Sequence, residues 1–456
     1  MVKKSEQDLY DLLSRLDCLE KENTQLKKLL KAKRYRFIDN IVDSLYKLTF
    51  PKKKQENKHE VKKLGEIIKS EPTEIGRTVE KGRIDIINMN FYDWNGKVLY
   101  KGGAERYIYD LASLLKDMGY KPRILQGANE PFKKTYRGIK VIGVKSNKQE
   151  IWRLSKIYNY YCQGAELVIA SPLELASEIK GVPIISINHG INFDTPWNTF
   201  DSVVENQYVD YKKGLKNSST CVCVDTNFIN WVRTRDYDES MKLQYIPNYY
   251  DETIFKPVKK SLHKKLIFTY PRRLYAARGA DITIEAFDKI LEKYPDKVKL
   301  QFVGQINDEE TTEQLKYLTE KYPDKVSHIE YKMKDMHKAY DNSDVAIIPT
   351  RYSEGTSLSC IEAMASGVAI IATNVGGLPN LIINEFNGFL ISPSAEDLEK
   401  AVIKLIKNPK LIEKFAKNGN EVVKASFTKT LWDQRWKKII NEGERLTDIS
   451  REPRPD

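Results

Sequence analysis

Cysteine, histidine and long apolar runs are all scarce in this chain of 456 residues. Five cysteines are an odd number and far too few for a disulfide scaffold, which fits a reducing compartment. No apolar run approaches the ~18 residues that a membrane-crossing helix needs. The opening residues, MVKKSEQDLY, lack the apolar core of a secretory leader, so none is expected. The composition is globular: 41% hydrophobic and 10% aromatic residues exclude a wholly disordered chain. The length suits about three units of ~150 residues each. Lys+Arg exceeds Asp+Glu by 75 to 63, a net charge of +12.

The excess charge is concentrated near the start. Residues 1–80 hold 19 basic and 14 acidic side chains, and residues 31–63 hold 11 against 4. Phe37, Ile38, Ile41, Val42 and Leu45 recur at helical spacing inside that basic stretch. Such a helix can lie on an anionic membrane surface, dock on a neighbouring domain, or simply link. No nucleic-acid-binding module is recognisable, so nucleic acid is not expected as a partner. Ahead of it, Leu9, Leu12, Leu16, Leu19, Asn23, Leu26 and Leu30 alternate steps of three and four. Leu at position d with a single Asn at a predicts a parallel two-stranded coiled coil, hence a homodimer through residues 9–30. A single helix packed on the protein's own surface would give the same pattern.

From residue 81 the sequence repeats strand, glycine loop, helix. RIDIINMNF, KPRILQG, ELVIAS and VPIISINHG read as buried parallel strands of one sheet. KKLIFTYPRRL, VKLQFVG, DVAIIPT and VAIIATNVGG read as those of a second. The expected fold class is α/β: two doubly wound Rossmann-like domains facing a cleft, preceded by the α-helical coiled coil. The boundaries are 1–35 for the coiled coil, 36–80 for the basic helix and linker, and 81–255 for the first Rossmann-like domain. Residues 256–456 make the second, which includes the last helix. Ligands of such sheets bind beyond the carboxyl ends of the strands.

RYSEGTSLSCIEAMASGVAIIATNVGGLPNLI is the most informative stretch. Glu354 and Glu362, with seven residues between them, stand in the setting E-G-x-S-L-x-x-x-E-A-M-A-S-G. This resembles the donor-binding region of retaining glycosyltransferase family 4, whose fold is GT-B. GGAER (102–106), INHG (187–190), IPN (246–248), PRRLYAARGAD (271–281) and FVG (302–304) are similar to that family's other motifs, in the same order.

The resemblance implies a retaining glycosyltransferase that takes a UDP- or GDP-sugar and glycosylates a hydroxyl. It implies that Arg273 and Arg278 neutralise the departing diphosphate, a task suited to positioned cations. Either arginine could instead be a surface ion-pair partner. The family has Gly where this chain has Arg272, and commonly Lys where it has Arg278. The diphosphate is expected at Gly355, Thr356, Ser357 and Leu358, where a helix start offers free N–H groups; the Ser357 hydroxyl could equally be only a helix cap. By resemblance, Glu362 accepts from the ribose and Glu354 contacts the donor sugar, tasks that suit an ionised carboxylate. By the same resemblance His189 faces that sugar from the first domain; a lone histidine there could instead be a structural one. Gly102, Gly103 and Gly304 allow close backbone approach, or tight packing, and Tyr331, Lys332 and Met333 fall where the base is contacted.

The scheme needs no metal and no cofactor beyond the donor. Asp236-Tyr-Asp238 matches a metal-binding pattern only formally, and Cys221 and Cys223 read as small core residues. The acceptor is expected to be a cell-surface polysaccharide or lipid-linked glycan, handled at the cytoplasmic face of the membrane. Two other readings stay open: a sugar-nucleotide epimerase on the same fold, and a non-catalytic dimeric scaffold that binds glycan.

Overall fold

The computed structural model describes residues 79–100, 102–146, 150–191, 194, 201–258, 261–332 and 335–449. The expected coiled coil and basic helix, and Met333 of the base loop, lie outside these residues. Among the described residues no helix is long and apolar enough to cross a membrane.

Eight strands form the first sheet: β1 (Arg83–Asn88), β2 (Lys121–Ala128), β3 (Phe132–Tyr136), β4 (Ile139–Lys145), β5 (Leu167–Ser171), β6 (Ile184–Asn188), β7 (Thr220–Cys223) and β8 (Leu243–Tyr245). Their order is β3-β4-β2-β1-β5-β6-β7-β8. All neighbours run parallel except β3, which joins β4 as an antiparallel hairpin at the edge. The central strands β5 and β6 are buried throughout, LVIAS and IISIN, because helices cover both faces. Cys221 and Cys223 are buried in β7, as small core residues would be.

The second sheet comprises β9 (Leu266–Tyr270), β10 (Val298–Val303), β11 (Val326–Ile329), β12 (Val345–Ile348), β13 (Ala369–Thr373) and β14 (Phe389–Ile391). Its order is β11-β10-β9-β12-β13-β14, all parallel. Each sheet starts in the middle and winds outward in both directions. The carboxyl ends of the two sets of strands face each other, so the expected pair of Rossmann-like domains is present.

The chain crosses between the sheets twice, at residues 246–251 and 427–430, and the two crossings are tied together. Tyr250 N–H donates to the Phe427 carbonyl (3.0 Å), and Lys429 N–H donates to that of Tyr250 (2.9 Å). The last helix, Lys429–Ile449, follows the second crossing. The sequence reading places it with the second domain. It packs instead on the first, where Trp432, Trp436, Ile439 and Ile440 join a core with Tyr107, Ile108 and Tyr249. The physical reason is burial: two indoles in that core remove far more apolar surface than a solvent-facing helix would.

Candidate functional site

The loop after β12 carries Glu354. Ser353 has a left-handed backbone (φ 60°), a conformation a non-glycine residue holds only when its surroundings over-determine it. They do: its hydroxyl donates to the Ile191 carbonyl across the cleft (3.1 Å), and its own carbonyl accepts from Arg278 Nη1 (2.9 Å). The next side chain, Glu354, is thereby turned inward and is 7% exposed. Its Oε2 accepts from Arg272 Nη2 (2.7 Å), Arg278 Nη1 (2.5 Å) and Thr350 Oγ1 (2.8 Å). Burial pushes the Glu354 carboxyl up, but the two guanidiniums outweigh it and hold the group below its usual range. Thr350 is itself fixed, donating to Glu354 and accepting from Arg272 Nη1 (2.5 Å).

Two cations sit beside Glu354. Arg278 is there, with its Nε donating to the Tyr275 hydroxyl (3.0 Å). Its partner is Arg272, whereas Arg273 is exposed and close enough to Glu105 of the first domain to act on that carboxyl. Gly304 explains the local path. With φ 146°, a β-carbon there would overlap the Arg272 carbonyl oxygen, so the strand end after β10 presses on the Arg272 backbone. That contact serves packing of the loop.

The helix Leu358–Ala365 starts directly behind Glu354, with Ser357 at its N-cap. The Ser357 side chain makes no capping bond, which leaves the first-turn amides without it. Thr356 Oγ1 donates to the Val224 carbonyl in the first domain. Leu358 meets Gly103, where a β-carbon would sit 2.8 Å from its Cδ1, and Gly355 lies against the His189 carbonyl. About one turn on, Glu362 is 5% exposed, not a surface residue. Its Oε1 accepts from Arg106 Nη1 of the first domain (2.8 Å) and its Oε2 from the Tyr340 hydroxyl (3.3 Å).

His189 follows β6, with Nε2 hydrogen-bonded to the Ser171 hydroxyl (2.9 Å) and its ring edge-on to Tyr107 (5.3 Å). Burial lowers its pKa to about 4, so the imidazole is neutral near pH 7. Asp225, fully buried, accepts from the N–H groups of Asn227 and Phe228 through Oδ1, and burial pushes its carboxyl up to about 6. Glu105 folds back toward Gly102. Tyr331 is half-buried and Lys332 exposed. Asp236 caps a short helix and pairs with Lys212 (2.6 Å). Among the described residues no group of His, Cys, Asp or Glu is arranged to hold a metal.

The structure therefore gathers Glu354, Glu362, Arg278, His189, Gly103, Gly355, Thr356, Ser357 and Leu358 at one cleft. Sequence reasoning misses Arg106, Arg272, Thr350 and Tyr340. Arg106 and Arg272 are within its reach, since they stand inside GGAER and PRRLYAARGAD; Thr350 and Tyr340 become visible only when distant segments are brought together.

Residues 251–422 match the profile of the family described as Glycosyl transferases group 1. The capsular polysaccharide biosynthesis glycosyltransferase CapM of Staphylococcus aureus is 28% identical over 177 residues, 38% of this chain and 46% of that protein. The UDP-Gal:alpha-D-GlcNAc-diphosphoundecaprenol alpha-1,3-galactosyltransferase of Escherichia coli is 26% identical over 267 residues, 55% of this chain and 67% of that one. The chain spans only 36 to 47% of the length of three of the relatives it matches, CapM and the spore coat protein SA of Bacillus subtilis among them. Among solved structures, Anabaena HepE in complex with UDP superposes with a TM-score of 0.63 at 16% identity, covering 79% of this chain and 100% of that one. That likeness supports the two-domain fold.

Proposed function

We propose that the chain is a glycosyltransferase that moves a sugar, with retention of configuration, from a nucleoside-diphosphate sugar to a hydroxyl of a cell-surface or lipid-linked glycan. One observation carries the reading: the ionised, arginine-held Glu354 stands just ahead of the helix that buries Glu362, at a cleft closed by a neutral His189. Group 1 glycosyltransferase relatives that act in capsule and diphosphoundecaprenol-linked glycan synthesis support the substrate class.

In this reading the ribose hydroxyls donate to Glu362, and the diphosphate lies on the amides of Thr356, Ser357 and Leu358. Arg278 and the exposed Arg273 take up the charge that the diphosphate gains as the anomeric carbon–oxygen bond breaks. Glu354 holds the donor sugar and favours positive charge at its anomeric carbon. The acceptor oxygen bonds to that carbon on the face the diphosphate leaves, and its proton passes to the departing phosphate oxygen. Neutral His189 donates to or accepts from a sugar hydroxyl without adding charge. No metal is required, because arginines and helix amides occupy that role. Homodimerisation through residues 9–30 and a membrane contact through residues 31–63 belong to the same proposal.

A thermal-shift panel of UDP- and GDP-sugars on the wild-type chain tests it. One nucleotide class should raise the melting temperature, because a ligand that binds only the folded state stabilises by RT ln(1 + [L]/Kd). No shift with any nucleotide-sugar would favour the glycan-binding scaffold.

A further inference from the structure

We infer that Arg272 is a positioning residue: it is the standing counter-ion of Glu354, and it leaves Arg278 free to move onto the donor diphosphate. The inference rests on the nucleotide-sugar reading above and adds to it a residue the family motif does not contain, since glycine is usual at this position.

The geometry gives the two arginines unequal standing. The Arg272 side chain is 8% exposed, and its Nη1 and Nη2 are engaged by Thr350 and Glu354. Its Nε is buried with no hydrogen-bond partner. A guanidinium held this way has no path to a ligand without breaking two short charge-assisted bonds. The Arg278 side chain is three times as exposed, at 24%. It hangs from the three-residue turn Ala276–Arg278; its Nε donates to the Tyr275 hydroxyl, and its Nη1 is shared between the Ser353 carbonyl and Glu354 Oε2.

Both arginines and Thr350 bond the same oxygen, Oε2. Were Arg278 the only cation on Glu354, a diphosphate would have to strip it from a buried carboxylate, leaving that charge uncompensated. Loss of a partner from a buried charge is costly. With Arg272 and Thr350 remaining on Oε2, and Ser353 still tied through its hydroxyl to the Ile191 carbonyl, Arg278 can leave and Glu354 stays ionised and oriented. The nearby first-domain group that feels the charge of Glu354 is itself acidic, Asp225, so removal of Arg272 would not be made good from that side.

The test uses calorimetric titration of the full chain with UDP, and with GDP and ADP in parallel, on wild type, Arg272→Met, Arg272→Lys, and the double variant Arg272→Met/Glu354→Gln. Arg272→Met should weaken binding of the nucleotide that wild type prefers by about tenfold, the order of one charge-assisted hydrogen bond. Arg272→Lys should recover part of it. The double variant should recover most of it, because a neutral amide in place of the Glu354 carboxylate no longer sequesters Arg278; a residue that only shaped the loop would show no such rescue. Melting curves confirm that each variant is folded, and the Lys variant carries the comparison if the Met variant is not. Binding unchanged by Arg272→Met, or not rescued by Glu354→Gln, overturns the counter-ion role alone. No nucleoside diphosphate bound by wild type overturns both this and the reading it rests on.

Discussion

Arg106 and Glu362 form an ion pair across the cleft, with Nη1 of the first-domain arginine 2.8 Å from Oε1 of the second-domain glutamate. The carboxylate is 7% exposed and the guanidinium 24%, so the pair is mostly screened from water. Asp110, one helix turn from Arg106, bonds the Tyr249 hydroxyl at the first crossing between the sheets. Glu362 is thus connected, through two polar side chains of one helix and a tyrosine of the crossing, to the segment that joins the two sheets.

Removing one partner of that pair should be worse than removing both. Arg106→Met is expected to cost about 2 kcal/mol of unfolding free energy, below the range for a fully buried pair because the arginine is partly exposed. Arg106→Met/Glu362→Met should recover a good part of that. Urea denaturation of the two variants checks it; equal losses would mean the pair contributes no mutual compensation.

Glu354→Gln keeps the shape of the side chain and removes its charge. Turnover of a bound nucleotide-sugar is expected to fall about a hundredfold, the scale of losing one preorganised electrostatic group. Steady-state release of nucleoside diphosphate reads the effect, with the melting temperature as the control for folding.

Stability should carry two opposite pH dependences in one window. His189 has its pKa lowered to about 4 by burial, against ~6.5 in an unfolded chain. The unfolded state therefore binds more protons between those values, and the stability that neutral His189 retains above pH ~6.5 is lost as pH falls toward 4, about 3 kcal/mol in all. Glu174, buried beside Leu173, has its carboxyl pushed up to about 7. Here the folded state holds the extra proton, so stability present below pH ~4.5 is lost as pH rises to about 7. In wild type these two slopes are expected to oppose each other. Relative to it, His189→Gln should gain stability as pH falls from ~6.5 to ~4, and Glu174→Gln should gain as pH rises from ~4.5 to ~7. Chemical denaturation at a series of pH values separates the two.

Two glycines at the cleft should respond differently to alanine. At Gly376 (φ 54°) a β-carbon would overlap the Glu354 carbonyl oxygen, which is backbone and cannot yield. Gly376→Ala is expected to cost about 3 kcal/mol. At Gly103 the β-carbon meets only the end of the Leu358 side chain, and alanine favours a helix start over glycine. Gly103→Ala should change stability by less than about 1 kcal/mol, as melting curves would show.

Much of the fold is legible because buried parallel strands announce themselves. LIFTY, VAII and AIIAT are apolar runs between glycine or polar breaks. The hairpin β3–β4 is not, because FKKTY lies at the edge, with its lysines exposed and no periodic apolar face. The last helix goes to the wrong neighbour for a similar reason: Trp432 and Trp436 mark a buried face, but nothing local says which sheet covers it. In the site, the glutamates and glycines are legible as a motif. The pairing of Arg272 with Glu354 and Thr350 is not, because it joins the loop after β9 to the loop after β12, residues far apart in sequence.

Sugar transfer that depends on Glu354 is tested most directly by the release of nucleoside diphosphate from a panel of UDP- and GDP-sugars, measured for the wild-type chain and for Glu354→Gln. Wild type should hydrolyse one donor class slowly and the variant should not, while both still bind the bare nucleotide. Release by neither protein from any donor, or equal release by both, would refute it.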